Sequence, residues 1–202
     1  MLAFYNYQNI GETCMELQKA IVNRCSIRKF TDYFVTDDEI AQILSAGRMA
    51  QSWANTQVWR FLVVRERELI HSISQLYNEE NPAQKCSDSA SALIVICAKL
   101  NESGTKKGQT ATTFKEWFLF DIGVTTQNIC LTAYELGLGS VVIGALDHAE
   151  CNKLLHIPKD FTSVVVIPVG KPQNPEKTGP GRNELKDLVY LDRFGDKFTR
   201  VF

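Results

Sequence analysis

Two stretches repeat apolar side chains at helical spacing directly after a capping box. Thr13-Cys14-Met15-Glu16 leads into Leu17, Ile21 and Val22, and Thr36-Asp37-Asp38-Glu39 leads into Ile40, Ile43, Leu44 and Met49. The threonine hydroxyl and the glutamate carboxylate satisfy N–H groups of a first helical turn, so a helix is predicted from each. Small and polar residues from Ser52 to Thr56 interrupt the pattern before Val58 to Val64, which reads as a strand. Arg67 to Tyr77 is again helical, with Leu69, Ile70, Ile73, Leu76 and Tyr77 on one side, and Asn78 to Ser89 reads as a polar loop.

Ala92 to Ala98 is apolar without alternation, the pattern of a central strand covered on both faces. Lys99 to Thr113 has no periodicity and is expected to be a lid or a surface loop. Phe114 to Leu136 predicts one long, largely buried helix ending at Gly137. Ser140 to Ile143 predicts a short strand, Asp147 to Leu155 a short helix stopped before Pro158, and Thr162 to Val169 a second buried strand. Lys171 to Arg182, with three prolines and two glycines, is an extended connector to an apolar tail at Leu185, Leu188, Val189 and Tyr190.

These elements predict a single α+β domain over residues 1–202, with a tail that packs away from its own core, on a partner subunit. The formal charge of -1 gives no global field for nucleic acid or an anionic membrane, so any anion site must be local. No apolar run approaches the span of a bilayer. Met1-Leu2-Ala3-Phe4-Tyr5 lacks the basic and long apolar regions of a signal peptide, which predicts a cytoplasmic protein. The six cysteines (14, 25, 86, 97, 130 and 151) form no C-x-x-C pair and read as reduced thiols.

The local anion site is best placed at Arg24-Cys25-Ser26-Ile27-Arg28-Lys29-Phe30. In an extended chain Arg24, Ser26 and Arg28 share one side while Cys25 and Ile27 face inward, and guanidinium forks match phosphate or carboxylate oxygens. The competing reading is a solvated basic turn. Other chemistries find no support. Gly137-Leu138-Gly139 is followed by Val142 where a third glycine would complete a dinucleotide fingerprint, and no P-loop is present. His148, Cys151 and His156 do not share a helix face and lack a fourth ligand, so no metal site is expected. No G-x-S-x-G elbow occurs. A chain with polar grips but no reactive constellation points to borrowed chemistry.

Five motifs in order carry a resemblance. They are the Arg24 to Phe30 cluster; Ala50-Gln51-Ser52-Trp53-Ala54-Asn55-Thr56-Gln57-Val58-Trp59; Asp121-Ile122-Gly123 with Gln127-Asn128, running into Glu135-Leu136-Gly137-Leu138-Gly139-Ser140; Val142-Ile143-Gly144-Ala145; and Gly170-Lys171-Pro172 with Gly181-Arg182. Together they resemble the nitroreductase family of FMN enzymes over nearly the whole chain.

The resemblance implies a central mixed β-sheet between helices and a homodimer with exchanged C-terminal segments. It also implies one FMN in each of two interface pockets, and NAD(P)H as electron donor to a small-molecule acceptor such as a nitroaromatic or a quinone. It assigns Arg24 and Ser26 to the phosphate end, Arg28 to the ribityl chain and the N1/O2 edge, and Arg182 to the phosphate, with Cys25 and Ile143 also counted as cofactor-binding. Ser52, Trp53 and Asn55 are expected to reach the cofactor from the other subunit, and Gly144 and Ala145 to bring backbone N–H groups to flavin N5 and O4. No side chain is assigned a catalytic role beyond tuning of the flavin by Arg28. Gln51 and Val58 stand where many members carry proline, Gly144 replaces the glutamate of the best-known enteric branch, and the 99–113 loop is shorter than that branch's lid helices. Lys85 is a candidate for the basic side chain that in some members reaches the pyrimidine edge. The same fold also serves reductive dehalogenation, flavin destruction, biosynthetic dehydrogenation or non-catalytic flavin storage.

Overall fold

A computed structural model describes residues 15–78 and 81–198. Its centre is β2 (Ala92–Lys99), whose run of small and β-branched side chains is buried almost end to end. Alternate residues face opposite layers: Leu93, Val95 and Cys97 enter one core, while Ala92, Ile94, Ile96 and Ala98 enter the other. A strand with both faces covered needs no polar alternation, which is why the sequence shows none.

The sheet order is β1 (Trp59–Val64), β2, β6 (Phe161–Gly170), β5 (Gly139–Ser140), and every ladder is antiparallel. The parallel component of the expected mixed sheet is the bridge between Ser26 and Ser140. α3 (Arg67–Ser74), α4 (Gln84–Ser89) and α6 (His148–Leu154) cover one face through Ile70, Ile73, Cys86 and Cys151. α2 (Asp37–Arg48) and α5 (Phe118–Glu135) cover the other through Ile40, Ile43, Ile122 and Ile129. Each such isoleucine, fully buried, is worth about 1.5–3 kcal/mol.

The capping box at Thr36 is complete, with Glu39 N–H donating to the Thr36 hydroxyl and Thr36 N–H to the Glu39 carboxylate. The box placed at Thr13 and Cys14 lies outside the described residues. α1 is described over Leu17–Asn23, and its apolar face at Leu17, Ile21 and Val22 is exposed, with only Ala20 buried.

Four expectations need correction. The stretch read as a loop from Asn78 to Ser89 contains α4, whose buried face is only Cys86 and Ser87, too small and polar to register as periodic. The 99–113 loop carries a hairpin, β3 (Thr105–Lys106) and β4 (Gln109–Thr110). Lys107 and Gly108, both at positive φ, form its two-residue turn. The long helix starts at Phe118, not Phe114, which is exposed. The strand predicted over Ser140 to Ile143 is Gly139–Ser140, with Ile143 making a separate bridge to Val166. The connector is extended, and the tail contributes one helical turn, α7 (Leu185–Leu188).

Candidate functional site

The Arg24 to Phe30 segment is held extended at the sheet's edge. Ile27 N–H donates to Ser140 O at 2.9 Å, Thr31 N–H donates to Lys171 O at 2.8 Å, and Phe30 bridges Pro172. Close seating requires two glycines: a Cβ at Gly139 would lie 2.7 Å from Ile27, and one at Gly170 2.9 Å from Phe30. The alternation is as expected from Arg24 to Arg28, with Cys25 and Ile27 buried, Arg24 and Ser26 half-buried and Arg28 exposed; it breaks beyond, where Lys29 is exposed and Phe30 buried.

Arg24 and Cys25 line a cavity of about 200 Å³ with Tyr134, Leu138, Ser140 and Lys177. Arg24 Nε is buried and has no hydrogen-bond partner. Lys177 Nζ donates to Ser26 O at 2.8 Å, and Cys25 Sγ donates to Lys177 O at 3.3 Å. Lys177 is a cation that sequence reading missed; only its position in the connector pointed to it. Arg182 does not line this cavity: it is exposed and donates from Nη1 to Pro180 O at 2.7 Å.

A second group, Ser52, Trp53 and Asn55, forms a tight turn between α2 and β1 and is also absent from the cavity lining. Ala54, Asn55 and Gln57 all have positive φ, a conformation that costs non-glycine residues free energy and persists only when neighbours enforce it. The enforcement is visible. Ser52 Oγ accepts Gln57 N–H at 3.0 Å, Trp53 N–H donates to Asp121 Oδ1 at 2.9 Å, and the Trp53 ring packs edge-on against Trp117.

The third group is Ile143, Gly144 and Ala145. All three carbonyls are engaged by the protein: Ile143 O by Val166 N–H at 2.8 Å, Gly144 O by His148 Nε2 at 3.1 Å, and Ala145 O by Asn78 N–H at 3.2 Å. The Ile143 N–H donates to Val166 O. Among the described residues the N–H groups of Gly144 and Ala145 have no acceptor, and both residues are exposed. A Cβ on Gly144 would meet nothing closer than 3.9 Å, so the space before it is open.

These groups are donors: guanidinium, ammonium, hydroxyl and free amide N–H. They suit a ligand with an anionic end and acceptor atoms on a ring, and FMN has both, in its phosphate and in N5 and O4. Four of the described thiols, those of Cys86, Cys97, Cys130 and Cys151, are poor nucleophiles. Burial pushes Cys97 up to about 12 and Cys86 up to about 11, and raises Cys130 and Cys151. No group of three or more potential metal ligands occurs among the described residues.

The model of the nitroreductase family matches residues 21–171, and the chain belongs to that family. A protein of Archaeoglobus fulgidus is 34% identical over 163 residues, which cover 79% of this chain and 87% of the relative. The NADPH-flavin oxidoreductase of Vibrio harveyi is 31% identical over 164 residues, covering 78% of this chain and 67% of the relative. Among solved structures, the NADPH:FMN oxidoreductase of Vibrio harveyi complexed with NAD+ matches with a TM-score of 0.75 and 27% identity, over 89% of this chain and 78% of that one.

Proposed function

We infer that this chain is an FMN-dependent NAD(P)H oxidoreductase that works by alternate binding of nicotinamide and acceptor, and that its acceptors are nitroaromatics, quinones or similarly electron-poor compounds. The observation that carries this reading is a cavity whose lining includes the cations Arg24 and Lys177; the two unmatched backbone donors at Gly144 and Ala145 lie outside that lining and support it. FMN, when bound, supplies the redox chemistry by taking a hydride from NAD(P)H and passing electrons on. The protein's part is to hold and tune it. Arg24, Cys25, Ser26 and Lys177 serve the phosphate end, Arg28 favours the reduced ring from the N1/O2 edge, and the N–H groups of Gly144 and Ala145 address N5 and O4.

The working unit in this proposal is a homodimer of single-domain subunits. Leu17, Ile21, Val22, Leu119 and Phe120 are exposed, and such apolar surface calls for cover. Ser52, Trp53, Asn55 and Arg182 stand outside the Arg24 cavity of their own chain and are assigned to the partner's cofactor or to rearrangement of the C-terminal connector on pairing. Among the described residues no helix is long and apolar enough to cross a membrane, and the five described cysteines are all free, which supports a reducing, cytoplasmic setting.

Steady-state rates with NADH or NADPH varied against a quinone and a nitroaromatic test the proposal. Parallel double-reciprocal lines are expected. A protein that binds FMN but turns over with neither acceptor would instead favour flavin storage or a different flavin reaction.

A further inference from the structure

Of the three carbonyls that anchor the 143–145 segment, two are held by main-chain N–H groups and one, that of Gly144, by the side chain of His148. His148 begins α6. Its Nε2 lies 3.1 Å from Gly144 O and its Nδ1 3.3 Å from Ser163 Oγ. A carbonyl oxygen only accepts, so Nε2 carries a proton, and in the neutral ring Nδ1 accepts from the serine hydroxyl. Ser163 is buried on β6, and its own N–H donates to Asn152 Oδ1 at 2.8 Å. The imidazole is thus clamped between the sheet and the Gly144 carbonyl.

A peptide unit is planar and trans, so its C=O and N–H point in opposite directions. Holding the Gly144 carbonyl toward His148 turns the Ala145 N–H away from it, and that N–H has no acceptor among the described residues. The peptide follows a glycine, whose backbone resists rotation least. Without the imidazole, nothing else bonded to the Gly144 carbonyl would fix its orientation.

We propose that His148 is a positioning residue for the oxidoreductase reaction, holding the Gly144 carbonyl so that the Ala145 N–H is aimed at the N5/O4 edge of the flavin. This rests on the reading of Gly144 and Ala145 as flavin contacts. The imidazole itself touches neither cofactor nor substrate; it acts through one peptide unit.

The test compares FMN-loaded wild type, His148→Ala and His148→Gln, because glutamine retains an N–H donor at comparable reach but not the ring. In the alanine variant the visible flavin band shifts, and anaerobic reduction by NAD(P)H slows about tenfold, the equivalent of one ordinary hydrogen bond. FMN affinity changes by less than about threefold, since the phosphate end is untouched. The glutamine variant recovers both spectrum and rate. Should the alanine variant fail to fold, His148→Phe, which fills the space without donating, takes its place with the same expectation. An alanine or phenylalanine variant with the wild-type spectrum and rate overturns the inference alone, as does a glutamine variant that recovers neither. Wild type that takes up no FMN overturns the functional reading together with it.

Discussion

The backbone N–H of Trp53 is held by the carboxylate of Asp121, 68 positions along the chain, at 2.9 Å. Asp121 is fully buried at the start of α5, and its other oxygen accepts the Ser103 hydroxyl at 2.6 Å. One carboxylate therefore fixes both the strained turn of residues 52–57 and the chain that enters the β3–β4 hairpin. The Trp117 ring, packed between Trp53 and Phe120, reinforces the junction.

Asp121→Asn tests that junction. An amide cannot accept two hydrogen bonds on two separate oxygens, so one donor is left without its charged partner, at a cost of about 1.5–3 kcal/mol. Urea unfolding followed by tryptophan fluorescence should show a loss of this size, and an unchanged midpoint would mean that the turn is held by other contacts.

Gly139→Ala probes how the cluster is seated. The added methyl would meet Ile27 at 2.7 Å, and overpacking of this kind costs about 1–3 kcal/mol. Because Ile27 lies between Ser26 and Arg28, the expected result is lower stability together with weaker FMN binding. A variant that loses stability while keeping FMN affinity would separate the packing of the segment from its function.

Stability should fall in alkali. The usual thiol value is 9.0, and burial raises Cys97 to about 12 and Cys86 to about 11 in the folded protein. The unfolded chain ionises these thiols first, so their protonated form contributes fully below about pH 9, and the contribution is lost as pH rises toward 12. Urea midpoints measured from pH 8 to pH 11 should decline, and a Cys97→Ala, Cys86→Ala double variant should decline less steeply. Equal slopes would assign the effect to other groups.

Arg28→Gln should lower the two-electron potential of bound FMN. On the proposed assignment to the N1 edge, its exposed guanidinium would favour the negatively charged reduced ring. A loss of ~1.4 kcal/mol would move the potential by roughly 30 mV. Spectroelectrochemistry measures the shift; an unchanged or raised potential would return Arg28 to a phosphate or surface role.

Much of this fold was legible because its signals are local. The unbroken run at β2, the capping box at Thr36 and the alternation from Arg24 to Arg28 each report on their own surroundings, and the structure follows them. α4 escaped notice because it buries only Cys86 and Ser87. The hairpin within the 99–113 loop had a turn signal in Lys107-Gly108 but strands of only two residues, too short for any period. At the candidate site, Arg24 was named from its motif, and the structure places it on the cavity. The grips that depend on distant residues were not so named: Lys177 on Ser26, Asp121 on Trp53 and His148 on Gly144 are contacts that only the fold creates.

In the proposed reaction a flavin held by these donors carries the chemistry. That role of the flavin is tested most directly by anaerobic titration of the FMN-loaded protein with NADH or NADPH, following the flavin absorbance. One equivalent of one of the two nucleotides should bleach one equivalent of flavin, and a quinone or nitroaromatic should restore the colour. Protein that takes up no FMN, or bound flavin that neither nucleotide bleaches, would contradict it.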